Sequence, residues 1–420
     1  MTHGSVDPRV PHAQRGPVRY ASGAVMSPQF SADQVGSYLR PPELIQARVA
    51  ALQGRISRAE LREVEDRAIL KVLELQQQAG MGVYTDGEYR RSGWTGGLPQ
   101  AVDGFIPPPA DAARPAVTMR WRGEHLDLLG RGAGTTPSAV VADPGTLAAA
   151  ATVDFRAVIG GKLRARGRIY GTDSAFLKEH APGPFKITVT SPTWYLRQYQ
   201  PGVSDRFYPT PADALVDLVD ITRNEIQALV DEGVPYVQVD SIRYVFDFTD
   251  EERRQQWRQS GIDADAAIDE TIRADNATVE GIDRKSCVFG LHMCRGNNRS
   301  NYFAEGSYAR VAEKAFGSLN YDRFLLEYDT ERAGGFEPLR YVPRGKTVVL
   351  GLISTKVPQL ESQDDLLRRI DEASKYVPLE NLALSPQCGF ASVLQGNVIE
   401  WDDQRRKLEL LVDTARKVWG

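Results

Sequence analysis

His292 and Cys294 stand two residues apart in the run CVFGLHMC (287–294), which reads as a β-strand. On a strand this spacing puts both side chains on the same side. Glu327 closes a second such run, RFLLEYD (323–329), and Cys388 a third, LALSPQC (382–388). Imidazole, thiolate and carboxylate brought together from separate strand ends could ligate Zn²⁺, which takes N, S and O donors in tetrahedral geometry. The other reading is plain packing, because H-x-C alone is a weak pattern and a buried Cys is usually a small apolar residue. Cys287, at the opposite end of its strand, reads as a core residue.

The elements that must position these groups alternate along the chain. FSADQVGSYL (30–39) reads as a first strand and GVYTDGE (82–88) as a second. FKITVTSP (185–192), YVQVDS (236–241), the runs at 287–294 and 323–329, TVVLGLIS (347–354) and the run at 382–388 complete eight. Ser57 to Ala79 reads as a long helix, opened by the S-x-x-E capping box of Ser57 and Glu60 and stopped by Gly80. Leu61, Val64, Ala68, Val72 and Leu75 fall on one face of it. Pro211 to Val230 is a second amphipathic helix, and further helical patterns lie near 263–279, 306–318, 361–376 and 404–418.

Eight strand-then-helix units predict an α/β fold of the (β/α)8 TIM-barrel type, with active-site residues at the C-terminal strand ends. An open doubly wound sheet is the other arrangement. No G-x-G-x-x-G turn follows a strand, which argues against its dinucleotide-binding form. Residues 95–178, with three successive prolines at 107–109 and short β-like pieces such as AVTMRWRG, read as an insertion after the second strand. The expected organisation is a flexible leader over 1–28 and one catalytic barrel over 29–420.

Composition narrows the function. In 420 residues, 42% are hydrophobic and 25% charged, ordinary for a globular protein with a large core. The 51 basic against 55 acidic residues leave a net charge of −4, which argues against a nucleic-acid partner. Three Cys, an odd number in one half of the chain, are not a disulfide framework and suit a reducing, cytoplasmic location. No apolar run reaches the roughly 18 residues of a membrane span, so no membrane partner is expected.

The segments LHMCRGNNRS (291–300), LEYDTERAGGFEPLR (326–340) and LSPQCGF (385–391) resemble the cobalamin-independent methionine synthase family, in its single-barrel, short-chain branch. The likeness continues in ADQVGSYLRPPEL (32–44), VYTDGEYRRSGW (83–94), VQVDS (237–241) and GLISTKVPQLES (351–362). The resemblance implies a barrel with catalytic zinc held by His292, Cys294, Glu327 and Cys388. It implies methyl transfer to the thiol of homocysteine from a small donor, giving methionine. Gly36 and Ser37 match the loop that binds the homocysteine carboxylate, and Glu88 and Asp240 the carboxylates that bind its ammonium group. Otherwise Ser37 is a turn residue, Glu88 a loop acid or a partner for Arg90 or Arg91, and Asp240 a cap. Trp194, after the third strand, is placed to stack on a pterin ring or simply to pack.

Two departures from the family pattern stand out. Ile353 occupies the position of a His thought to assist proton delivery to the departing folate nitrogen, and Gln34 stands where related short chains often have His. The single-barrel reading leaves the amino-terminal barrel of the long enzymes without an expected counterpart. A second reading is therefore alkyl transfer from another electrophile, such as an epoxide, to a different small thiol, resembling epoxyalkane:coenzyme M transferase. A sulfonate-tailed thiol would call on Arg295, Arg299 or Arg243. A third reading is a zinc-holding binding protein for a small thiol, without turnover.

Overall fold

A computed structural model describes residues 30–107, 121–130 and 157–420. Its largest sheet has six parallel strands in sequential order: β3 (Lys186–Thr190), β4 (Tyr236–Asp240), β5 (Val288–Met293), β6 (Arg323–Glu327), β7 (Thr347–Ile353) and β8 (Leu382–Pro386). A separate antiparallel pair, β1 (Val102–Ile106) and β2 (Val158–Ala165), lies within the segment expected to be an insertion.

The two N-terminal segments expected to be strands form isolated parallel bridges instead of ladders. Ala32 bridges Leu384 of β8, Ser37 bridges Gly87, and Tyr84 bridges Phe185 beside β3. The bonds are ordinary: Asp33 N to Leu384 O at 2.8 Å, Tyr38 N to Gly87 O at 3.1 Å, and Tyr84 N to Pro184 O at 2.9 Å. Each of the eight segments therefore has a hydrogen-bonded neighbour on both sides, the order of an eight-stranded β/α barrel. Longer ladders are prevented by the backbone. Gly36 has φ +135°, Gly87 +69° and Glu88 +59°, and such residues cannot continue an extended strand.

The helices follow the local signals. The first two are α1 (Pro42–Leu52) and α2 (Arg58–Gln78). In α2 the Ser57 hydroxyl accepts from Glu60 N at 3.2 Å, and the Glu60 carboxylate accepts from Ser57 N at 2.7 Å. Ala68, Val72 and Leu75 are buried on its inner face. A short helix, α3 (Gly171–His180), begins inside 95–178. Next come α4 (Pro211–Asp231), α5 (Glu251–Gln259), α6 (Ala264–Ala277), α7 (Ala309–Ser318), α8 (Gln363–Ser374) and α9 (Trp401–Trp419). Three of these, α1, α3 and α5, were not foreseen. The expected leader, and residues 116–120 of AVTMRWRG, lie outside the described residues. From the rest of that piece, Trp121 packs edge-on to Phe303, and Arg122 pairs with Asp250 at 2.6 Å.

The barrel interior is partly polar. Asp33, Lys186, Tyr236 and Arg323 are all buried near the N-terminal strand ends. The Lys186 ammonium meets Asp33 at 2.8 Å, and Arg323 meets the other Asp33 oxygen at 3.2 Å. These two cations outweigh the cost of burial and hold the Asp33 carboxyl below its usual range. Among the described residues no helix is long and apolar enough to cross a membrane.

Candidate metal centre and substrate pocket

Strand β5 runs from a core position into the site. Register pairs His292 with Asp240 of β4 on one side and with Leu325 of β6 on the other. His292 ends in the interior, and Cys294 follows just past the strand. Cys388 lies two residues past the end of β8. One ligand atom from each of His292, Cys294 and Cys388 lies within 4.8 Å of the others, and all three residues are buried. Neither ring nitrogen of His292 has a well-formed hydrogen bond, and the polar group that acts on the ring is the Cys388 sulfur. A buried imidazole so placed is costly unless something else takes its nitrogens, and with two thiols alongside, the donor set is one that suits zinc.

Within the trio the two thiols act on each other in opposite directions. The Cys294 thiol is pushed up, first by donating a hydrogen bond to Cys388 and then by burial. That same bond, with the contact of His292 and the charge of Lys356, pulls Cys388 well down against burial. The ring of His292 is held above its ordinary value despite burial, because Cys388, Asp240 and Glu327 surround it. The Cys388 sulfur also lies 3.5 Å from the Ser392 hydroxyl. Cys287 is buried away from this group, and burial raises its thiol to about 12.

Glu327 is fully buried at the end of β6 but is not one of the three clustered donors. One of its oxygens accepts from the Arg295 backbone N at 2.6 Å. The other accepts from Arg332 at 3.1 and 2.7 Å. Burial would raise its pKa, but Arg332, Lys356 and Arg295 overcome this and set it at about 2. Glu327 is thus an anion, tied to the residue that follows Cys294.

The expected substrate residues gather at the same strand ends. Glu88 is buried, with one oxygen accepting from the Thr188 hydroxyl at 2.9 Å and the other without a partner. Burial raises its pKa, and the charge of Asp86 adds to this. A side chain on Gly36 would come within 2.7 Å of Thr188 and 3.0 Å of the Glu88 carboxylate, so only glycine fits here. The Ser37 carbonyl accepts from Phe390 N at 2.8 Å, and the Ser37 hydroxyl lies against Gly389, next to Cys388. The Asp240 carboxylate accepts from Gln238 at 2.7 Å. Burial lifts it to about 7, with Glu88 adding and His292 opposing. Trp194 packs against Trp94, ring centres 5.0 Å apart, and against the Arg197 guanidinium at 4.4 Å.

Arg295 donates to the Glu327 carbonyl at 2.9 Å and to Gly306 O at 2.7 Å. Arg243 pairs with Asp247 at 2.8 Å, and Arg299 donates to Leu128 O at 2.6 Å. Each is therefore anchored within the fold, with at least one further buried guanidinium nitrogen that has no partner.

Several polar residues here went unread in the sequence. Lys356 is buried and donates to Gly296 O at 3.1 Å and to Asn297 at 3.2 Å. Asn297 in turn donates to Gly389 O at 2.6 Å, fastening the loop after Cys294 to the loop after Cys388. Arg332 and Gln238 were likewise passed over. Lys356 follows β7 within STKVP, and a charged residue just beyond a barrel strand was the signal available.

Comparison with known proteins agrees with this geometry. Residues 206–417 match the family described as the cobalamin-independent synthase catalytic domain. The chain is 32% identical to the uncharacterized protein YxjG of Bacillus subtilis, over 97% of this chain and 99% of that one. It is 23% identical to a methionine synthase of Pyrococcus abyssi, over 84% of each. Its fold superposes on the crystal structure of a Listeria monocytogenes protein provisionally assigned as a vitamin-B12 independent methionine synthase, with TM-score 0.65 and 26% identity over 94% and 99% of the two chains. It also superposes on a B12-independent methionine synthase from Shewanella, solved with selenomethionine, with TM-score 0.62 and 18% identity over 92% and 97%. With its barrel, its strand-end trio and these matches together, the chain belongs to the cobalamin-independent methionine synthase family.

Proposed function

We propose that this protein is a zinc-dependent methyltransferase acting on the thiol of homocysteine. One observation carries the reading: His292, Cys294 and Cys388 converge from two strands, all buried, with one donor atom of each within 4.8 Å of the others. These three would hold the ion, with Glu327 beside them as the oxygen donor. A zinc ion bound there would supply a Lewis acid that lowers the pKa of a substrate thiol, making it nucleophilic at neutral pH.

The chain's own residues do the rest. Glu88 and Asp240 present carboxylates from opposite sides of β3 to an ammonium group. Gly36 and Ser37 bring backbone and hydroxyl to the carboxylate end. Arg332 and the Arg295 amide keep Glu327 ionised and fixed. Burial of the trio excludes water from the reacting sulfur, which strengthens each electrostatic contact.

Family membership and the homologues named methionine synthase support methyl transfer. Homocysteine as acceptor rests on the acidic pair and on the likeness to the Shewanella enzyme, solved with selenomethionine. The test is incubation of the zinc-loaded protein with homocysteine and, separately, methyltetrahydrofolate, a methylcorrinoid and a simple epoxide. Methionine detected by mass spectrometry with either methyl donor is the expected result. An alkylated amine-free thiol, formed only with the epoxide, would replace this reading with alkyl transfer.

A further inference from the structure

Inside the barrel, a chain of hydrogen bonds leads from the N-terminal strand ends up to the substrate pocket. Lys186 of β3 is buried, and its ammonium donates to Asp33 at 2.8 Å, to the Gln34 carbonyl and to the Gln238 side-chain oxygen at 2.7 Å. An ammonium has three donors and no acceptor. All three are spent, and the partner atom on Gln238 has to be its oxygen. That fixes which way the Gln238 amide faces, a choice that its shape alone would leave open.

With its oxygen committed, Gln238 must point its NH₂ group the other way. Its two N–H bonds go to Val35 O and to an Asp240 oxygen, both at 2.7 Å. Val35 precedes Gly36 and Ser37. One amide therefore ties the loop proposed for the substrate carboxylate to the side chain proposed for its ammonium group. The bond also leaves the second Asp240 oxygen as the one available to a ligand. Gln238 and Lys186 are buried, and their hydrogen bonds go to Asp33, Gln34, Val35, Asp240 and each other, not to the metal trio.

We propose that Gln238, oriented by Lys186, is a positioning residue that sets the spacing between the two halves of α-amino-acid recognition. The inference rests on the amino-acid reading of Glu88, Asp240, Gly36 and Ser37 given above. A specificity device of this kind selects thiols that carry an α-ammonium and an α-carboxylate at fixed separation, whatever the alkyl donor is.

Calorimetric titration of the zinc-loaded protein tests it, comparing homocysteine with 4-mercaptobutanoate, the same thiol without the amine. The parent should bind homocysteine more tightly. In Gln238→Met both donors are lost at similar side-chain volume, and the affinity ratio should fall at least about tenfold, as for loss of a hydrogen bond to a charged group. Zinc content and cooperative melting should remain. Lys186→Met keeps both Gln238 donors but removes the ammonium that anchors the amide oxygen, so the amide is held less firmly and the ratio should fall in the same direction and by less. Should Gln238→Met not fold, Lys186→Met decides by the same ratio, since Asp33 keeps Arg323. A parent that does not discriminate the two thiols overturns the amino-acid reading and this inference with it. A discriminating parent whose folded variants keep the full ratio overturns the inference alone.

Discussion

Neutralising one member of the Glu88–Asp240 pair should weaken the thiol acceptor without touching the metal. Both side chains are buried, and one Glu88 oxygen has no partner in the free protein. Breaking a buried charge pair costs about 2–5 kcal/mol. The lower end applies here, because Glu88 already raises the Asp240 pKa, and removing either charge relieves that repulsion in the free protein. A loss of about 2–3 kcal/mol corresponds to roughly 30- to 150-fold in affinity. Glu88→Gln can still accept from Thr188, so the strained turn at φ +59° has its anchor. The ammonium group is remote from the reacting sulfur and binds alike in ground and transition states, so the change should appear in KM with kcat little altered. The assay is homocysteine-dependent initial rates for Glu88→Gln and Asp240→Asn beside the parent, with zinc measured in each. Parent-like KM in both would refute the reasoning, and a fall in kcat at constant KM would place these carboxylates in the chemistry.

Asp247 sits under Arg197, Arg243 and Arg253, at 2.8, 2.8 and 3.1 Å, and against burial they pull its carboxyl down to about 2. Asp247→Asn leaves three guanidiniums without their anion and should cost about 3–5 kcal/mol in urea unfolding. Because the folded pKa is depressed, this stabilisation is present above about pH 4 and is lost as pH falls toward 2; a variant as stable as the parent at pH 7 would count against the cluster. Asp173 is the opposite case: burial, with Asp86 adding, raises it to about 7. A raised carboxyl disfavours folding as pH rises from about 4 to 7, so Asp173→Asn should gain on the parent across that window by at most about 1.4 kcal/mol per pH unit. Melting curves that stay parallel from pH 4 to 7 would contradict it.

What could be read in the sequence was what depends on neighbours along the chain. The Ser57–Glu60 box, the stop at Gly80 and the apolar runs of β3 to β8 are local signals, and the structure follows them within a few residues. The segments at 30–39 and 82–88 keep their places in the ring but not their ladders, because left-handed turns at Gly36, Gly87 and Glu88 are set by packing around the pocket. His292, Cys294 and Cys388 could be gathered on paper because strand ends of a barrel share one face. Glu327 was read as a donor by the same logic, while Arg332, five residues on, was not seen to grip it. Lys186 and Gln238 escaped notice because a charged and an amide residue in short apolar strands look like outward-facing positions. Only the register of β3 on β4 shows that they meet each other, 52 residues apart in the chain.

The central claim is the metal centre, and metal analysis of the purified protein tests it most directly. About one zinc per chain is expected, falling to a small fraction in Cys294→Ser and in Cys388→Ser, because losing a thiolate leaves too few donors for tight binding. Cys287→Ser, altered away from the trio, should keep the parent's zinc. Full zinc in both the Cys294 and Cys388 variants, or none in a parent supplied with zinc under reducing conditions, would contradict the account.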